Sequence, residues 1–454
     1  MFKGYSLINL FFFFCLMIYQ LLFLEIDLMF YLSFVYIVLN MLCSFLSRGL
    51  FFFTTVSVLR ISGFFRYFIM AITMTKSSYT GMEGASFWIL LIELLVQYFV
   101  IFYINFFHSR KKDYLTQYYE KKPTISFNFY FIILLVVTIL CFSLNPSLLS
   151  NFFTLNFARS PGIQFEGPLA IIFKTSIVSV LLFIIAFIEN SKINGMIKTV
   201  AIISLVLVFL NGVAINGGEI SRWYIVVTFM IVLNILYRYH KKSASLITIL
   251  FGIIFFVVLI LSTMYKFGQT DSIYSTAAGT IESLFSFTSL NAYFSGPRNM
   301  DIALQTADFI SSFDIFIPKI IISDIFNNFP LLNKYFSDRE MTSVVLYNIL
   351  FYKSKVAIDQ IIPLSGQLFI YFKWFFWVPI ILLTSWMIKV EQAARRENHL
   401  LKIYSLYFLA IILSLGNFIN LIIMFQNLWI NIIPIYLVYL INENKIVFYS
   451  RGNK

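Results

Sequence analysis

Runs of about twenty consecutive apolar residues recur along this chain, and that is the length a helix needs to cross the hydrocarbon core of a bilayer. They stand near residues 5–24, 28–46, 51–74, 86–107, 126–145, 168–188, 196–215, 222–238, 244–264, 366–388, 403–419 and 422–441. The runs are continuous, whereas the strands of a membrane β-barrel alternate over about ten residues. Of the 454 residues, 60% are hydrophobic and 12% charged, with 55 Phe, more apolar surface than a soluble fold can hide. The expected fold is therefore all-α: a polytopic integral membrane protein of about twelve transmembrane helices with one large external loop between the ninth and tenth. The expected segments are 1–264 (helices one to nine), 265–364 (the loop) and 365–454 (helices ten to twelve and a cytoplasmic tail). The first run, SLINLFFFFCLMIYQLLFL, has no small-residue cleavage site and reads as a retained helix.

Loop charge orients the chain. HSRKKDYLTQYYEKKP, ENSKINGMIK, RYHKK, KVEQAARRENHLLK and NENKIVFYSRGNK all fall on one side if every run spans. By the positive-inside rule that side is the cytoplasm, and both termini lie there. The net charge of +12 then belongs to cytoplasmic and lipid-facing loops, not to a nucleic-acid surface. The insertion 265–364 faces outward. STAAGTIESLFSFTSL and NMDIALQTADFISSF within it repeat apolar residues at helical spacing, and Pro297, Pro318, Pro330 and Pro363 divide it. Short helices resting on the outer membrane surface are expected.

The turn NGGEISRWY, residues 216–224, also faces outward and carries Glu219 and Arg222 at the mouth of a span. Two arginines, Arg60 and Arg66, lie inside FFFTTVSVLRISGFFRYFIMAITM, where a charge costs about 2.5 kcal/mol or more at mid-bilayer. Such residues face a cavity or a partner, or else snorkel to headgroups. Glu93 and Gln97, one turn apart, share a helix face and suit an interhelical contact. Cys15, Cys43 and Cys141 sit within apolar runs and suggest neither disulfide nor metal. His108, His240 and His399 all fall in cytoplasmic segments, so an outward-facing reaction has no histidine base and no histidine-ligated zinc. No metal or cofactor motif is present, and a proton acceptor outside has to be a carboxylate.

Three stretches, SRWYIVVTFMIVLNILYRYHKK at 221–242, LNAYFSGPRNMDIAL at 290–304 and DQIIPLSGQLFIYFKWFFWVPI at 359–380, resemble the Wzy-type oligosaccharide repeat-unit polymerases, which build O-antigen and capsular polysaccharide. The first resembles the family's Ser/Gly-Arg opening of a span that ends in a basic loop. The second resembles its Tyr-x-Ser-Gly-Pro element. The third resembles the re-entry into the membrane, with Tyr-Phe-Lys-Trp at 371–374 where relatives often carry a Gly after the aromatic. The resemblance implies a glycosyltransferase at the outer face of a bacterial inner membrane. Its substrates are repeat units on undecaprenyl diphosphate, and a chain-length regulator and a flippase are its expected neighbours.

A lipid diphosphate leaving group calls for fixed guanidinium groups, and the attacking sugar hydroxyl calls for a carboxylate base. The expected binding residues are Arg222, Arg298, Arg339, Arg60 and Arg66, and the expected bases are Glu219, Asp301 and Asp359. Plain alternatives stand beside each. Arg222 suits an interfacial anchor, Arg298 with Asp301 an i,i+3 ion pair, Asp338-Arg339-Glu340 a solvated charge run, Glu219 a partner for Arg222, and Asp359 a cap. The rival functions are a lipid-linked oligosaccharide flippase or transporter, a glycan ligase, and a scaffold. Alkaline phosphatase fused at residue 300 is expected to be active and, fused at residue 242, inactive. The reverse pattern would put the insertion in the cytosol.

Overall fold

A computed structural model describes residues 2–46, 53–75, 77, 82–109, 123–125, 129–144, 146, 168–192, 195–213, 215–216, 219–220 and 222–239, short stretches within 252–264, then 276–327, 329, 333–336, 338–353, 360–416 and 419–443. Among the described residues the secondary structure is helical apart from a two-residue antiparallel pairing, with Ile215 opposite Ile220 and Asn216 opposite Glu219, and an isolated bridge between Thr124 and His399. Five helices are long and apolar enough to cross a membrane, as a membrane-embedded protein requires: Leu28–Phe45, Thr54–Met74, Gly84–Phe107, Ile171–Asn190 and Leu421–Asn442. Shorter apolar helices fill several other expected spans, among them Leu7–Phe23, Phe129–Leu144 and Leu400–Ser414. The expected span 244–264 falls largely outside the described residues.

Two compact units make up the chain, each assembled from three separate stretches. The first comprises Met1–Thr116, Glu282–Glu391 and Ala410–Gln426. Its N-terminal helices are α1 (Phe2–Phe23), α2 (Leu28–Leu46), α3 (Thr54–Met74) and α4 (Gly84–Ser109). Helix α4 wears its polar residues inside. Leu95, Phe99, Tyr103 and Phe106 are exposed, at spacings of three and four, while Glu93, Leu94, Gln97 and Tyr98 are buried. That is the inverse of a water-soluble amphipathic helix and suits an apolar solvent. Helices α2 and α3 meet closely at Gly63, where an added Cβ would lie 2.7 Å from the Tyr36 ring. There the Tyr36 hydroxyl donates to the Arg60 carbonyl at 2.7 Å, and Arg60 Nε donates to Asn40 Oδ1 at 2.7 Å. The Arg60 guanidinium also lies over the Phe13 ring.

The second unit comprises Gln117–Ile281, Gln392–Leu409 and Asn427–Lys454. It contains α5 (Phe129–Leu144), α6 (Pro168–Asn190), α7 (Gly195–Val213) and α8 (Arg222–Tyr239). Four segments distant in sequence converge here. Thr124 pairs with the backbone beside His399 through Thr124 N–H to Asn398 O and Leu400 N–H to Thr124 O. Arg238 donates to the Glu397 carbonyl at 2.6 Å, Tyr239 donates to the Pro123 carbonyl at 2.7 Å, and His399 faces Asn442 and Glu443.

The insertion folds into helices and, from Glu282 on, is part of the first unit. The helices are α9 (Ala277–Leu284), α10 (Phe287–Phe294), α11 (Pro297–Ser312), α12 (Ile317–Phe326), α13 (Asn333–Phe336) and α14 (Ser343–Tyr352). Pro297 and Pro318 each sit in the first turn of their helix, where the missing N–H costs nothing. The expected run through STAAGTIESLFSFTSL is broken at Ser286, whose Oγ accepts from Ser289 N–H to start α10. The tenth expected span is likewise not one helix. It divides into α15 (Leu364–Phe372), a 3₁₀ turn over Lys373–Phe375, and α16 (Trp377–Arg396). The break falls at Lys373, which adopts φ 50°, ψ −134°, a conformation that favours glycine. Its Nζ holds Ser311 Oγ at 2.8 Å. Helix α17 (Leu400–Ser414) then leads to α18 (Leu421–Asn442). The turn hidden among asparagines falls between them, with Asn420 Oδ1 capping Ile423 N–H.

At the start of α3 the N-cap residue is Phe53, which offers no side-chain cap. Buried Glu391 takes that place: Oε1 accepts from Thr54 N–H at 2.8 Å, and Oε2 accepts from Thr55 N–H at 2.9 Å. A carboxylate at a helix N-terminus meets both orphan donors and the positive end of the dipole. Replacing Glu391 with Ala should remove about 2–4 kcal/mol, read as a lowered thermal midpoint in detergent. A wild-type midpoint would show that the cap contributes nothing.

Candidate functional site

The Tyr-x-Ser-Gly-Pro element forms the turn between α10 and α11. Ser295 ends α10 in the left-handed conformation, φ 51°, and leaves its carbonyl pointing at the membrane helices. Arg66 Nε donates to that carbonyl at 3.1 Å, and Arg66 Nη1 pairs with Glu93 Oε1 at 3.0 Å. Both charged side chains are nearly inaccessible, at 1% and 2% exposure. Arg66 sits in the π-helical stretch Phe64–Ile69 of α3, whose Phe65 stacks on Phe294 of α10 at 4.9 Å. Gly296 leaves no room for a side chain, because a Cβ there would lie 2.2 Å from Met70 Sδ and 2.6 Å from Asn291 Oδ1. Asn291 completes the turn. Its Oδ1 accepts from Arg298 N–H at 3.1 Å, and its Nδ2 donates to Asn299 Oδ1 at 2.6 Å.

Immediately after this turn, Arg298 projects as an exposed side chain from the second position of α11. Its guanidinium lies over the Phe351 ring, 5.7 Å from the centroid, and has no carboxylate partner among the described residues. The expected ion pair to Asp301 is not what occupies it. Asp301 is buried, and its Oδ1 accepts from Glu83 N–H at 3.3 Å, at the start of α4. Beside Arg298 lies Tyr347, whose phenol burial pushes upward while the Arg298 charge pulls it down. The Tyr347 hydroxyl is buried and makes no hydrogen bond among the described residues. A cation without a carboxylate partner, an aromatic face and a hydroxyl without a hydrogen bond, all among the described residues, thus stand together beside a turn fixed to the membrane helices.

A second polar cluster lies below α12 and α14. Asp324 Oδ1 accepts from Ser343 N–H at 3.0 Å, and its Oδ2 accepts from the Tyr371 hydroxyl and from Gln367 Nε2. Gln367 Nε2 also donates to Ser343 Oγ at 2.8 Å, while its Oε1 accepts from Leu421 N–H at 2.8 Å, opening α18. All four side chains are buried. Asp324 is not among the candidate residues named from the sequence. The signal was spacing: in IPKIIISDIF, Asp324 lies four residues after buried Ile320 and so shares the apolar face.

Among the remaining expected residues, Arg222 is the first residue of α8 and Glu219 lies in the short hairpin before it. Both belong to the second unit, whereas Arg60, Arg66, Arg298, Asp301 and Arg339 belong to the first. Arg339 begins a 3₁₀ turn. Its neighbour Asp338 pairs with Lys319 at 2.8 Å, which holds that carboxyl below its ordinary range. Asp359, Gly217 and Gly218 lie outside the described residues. Arg60 and Arg66 are buried and are engaged by Asn40, Phe13, Glu93 and Ser295, so neither offers an exposed face to a ligand. Among the described residues no group of three or more His, Cys, Asp or Glu side chains has the arrangement to hold a metal ion. Compared with family models, curated proteins and solved structures, the chain matches none.

Burial pushes the Asp324 carboxyl up to about 6, against hydrogen bonds from Ser343, Tyr371 and Gln367 that pull it down. Its folded pKa thus exceeds the unfolded value of 3.8, so its contribution is full below pH 3.8 and is lost as pH rises through about 6. Asp324→Asn should abolish that part of the pH slope, about 3 kcal/mol between the two limits. Thermal midpoints across this window measure it, and parallel wild-type and variant curves would contradict it.

Proposed function

We propose that the chain is a polymerase of the Wzy kind. It joins oligosaccharide repeat units carried on undecaprenyl diphosphate into O-antigen or capsular polysaccharide at the outer face of a bacterial inner membrane. The observation that carries this reading is Arg298, an exposed guanidinium without a carboxylate partner among the described residues, on a turn bonded to the membrane helices. A planar fork of donors matches phosphate oxygens, and fixed placement lets it hold the lipid diphosphate from substrate binding onward.

The twelve-span topology with both termini cytoplasmic gains support from the convergence of residues 123–125, 238–239, 397–402 and 442–443. These come from segments that loop charge assigns to one side. Within the first unit, the start of α3 meets Glu391, while the start of α4 meets Asp301 of the insertion. Those contacts sit at opposite ends of antiparallel helices, as alternating spans require.

In the proposed reaction the anomeric carbon of the growing glycan leaves its diphosphate oxygen and bonds to a hydroxyl of the incoming repeat. The hydroxyl proton passes to a carboxylate, with Asp301, Glu219 and Asp359 as candidates. The electron pair of the broken bond stays on the diphosphate, which Arg298 holds, with Arg222 and Arg339 as the other candidates from the sequence. A second reading, a lipid-linked oligosaccharide flippase, is favoured by one observation: the ion pair Arg66–Glu93 within apolar helices.

A glycan ladder from a deletion strain separates these readings. Product bearing a single repeat supports the polymerase, loss of all repeats supports export, and free polymer supports a ligase. Arg298→Ala and Arg222→Ala should each abolish chain extension while the protein accumulates normally, and Lys at either position should restore little, because a point charge lacks the bidentate fork. Long-chain glycan at wild-type level in Arg298→Ala would remove that residue from the site.

A further inference from the structure

The turn that presents Arg298 is built on a charge buried between two membrane helices. Arg66 uses one edge of its guanidinium for Glu93 of α4 and another for the Ser295 carbonyl, so a single side chain joins α3, α4 and the insertion. The surroundings leave the turn little freedom. Phe65 and Phe294 stack, Gly296 abuts Met70, and Asn291 closes on Arg298 N–H. Two residues, Gly296 and Pro297, separate the residue whose carbonyl Arg66 holds from the arginine that presents its guanidinium.

We propose that Arg66 and Glu93 are positioning residues: through Ser295 they fix the turn that aims Arg298 at the anionic part of the substrate, and they touch no ligand themselves. This rests on the reading above for what Arg298 binds, but not for the attachment of the turn. Glu93 holds the guanidinium plane, and the guanidinium holds the carbonyl. A lysine at position 66 would keep a cation opposite Glu93 without a second donor directed at Ser295. That difference separates a role in the turn from a role in keeping the helices together.

The test uses the purified full chain in nanodiscs. In Arg66→Lys, amide hydrogen exchange over residues 291–300 should quicken by about tenfold, the effect of losing one ordinary hydrogen bond, with exchange in α15 unchanged. The concentration of lipid-linked repeat unit giving half-maximal extension should rise by about tenfold, with turnover at saturation nearly unchanged. A merely structural defect would instead lower turnover through the active fraction and leave half-saturation in place. Should Arg66→Lys fail to accumulate, the double variant Arg66→Met/Glu93→Gln removes both charges and strands neither. Its expected outcome is the same. Unchanged exchange over 291–300 overturns the attachment, and quickened exchange with unmoved half-saturation overturns the positioning role. If the wild-type protein extends no glycan, the functional reading fails, while the exchange measurement still decides the attachment.

Discussion

A guanidinium and a carboxylate set opposite each other between apolar helices are the contact on which much of the first unit depends. Alone, either charge would cost several kcal/mol at such depth, because hydrocarbon offers no solvation and water is remote. Paired at 3.0 Å they offset each other's charge, and the arginine still has a donor to spare for Ser295. The pair therefore does more than tolerate its surroundings. It fixes α4 against α3 and turns the π-helical stretch of α3 into a docking point for the insertion, in keeping with the frequent occurrence of such stretches at functional positions.

The same logic recurs at helix starts throughout this unit, where one helix completes the hydrogen bonding of another. Glu391 meets the first amides of α3, Gln367 meets Leu421 at the start of α18, and Asp324 meets Ser343 at the start of α14. Where no water reaches, the open amides of a helix start need partners from the protein itself. Supplying them from distant segments makes each cap conditional on tertiary structure. The membrane helices and the insertion consequently share one polar framework, and Arg298 stands at its edge.

The positions of many helices were legible in the sequence because length and hydropathy decide them locally. The apolar runs at 28–46, 51–74, 86–107, 168–188 and 422–441 coincide with the five long helices. The helix start at Arg222 and the insertion helix beginning at Pro297 were readable for similar reasons, from a polar turn and a proline. What stayed hidden required knowledge of the partner. Arg66 was visible as a misplaced charge, but nothing local links it to the Ser295 carbonyl, 229 positions away. The tenth span breaks at Lys373, at a backbone angle that hydropathy does not register. Asp324 lay in plain view on an apolar helix face, and its meaning came only with Gln367 and Tyr371.

The cap on α3 also carries a consequence for biosynthesis. Glu391 lies 337 positions after Thr54, so the ribosome finishes almost all of the chain before that carboxylate exists. Until then the nascent helix must enter the bilayer with its leading amides served by lipid headgroups or by the insertion machinery. Arg66 and Glu93, only 27 positions apart, can find each other early and keep the first helices together while the remainder is translated.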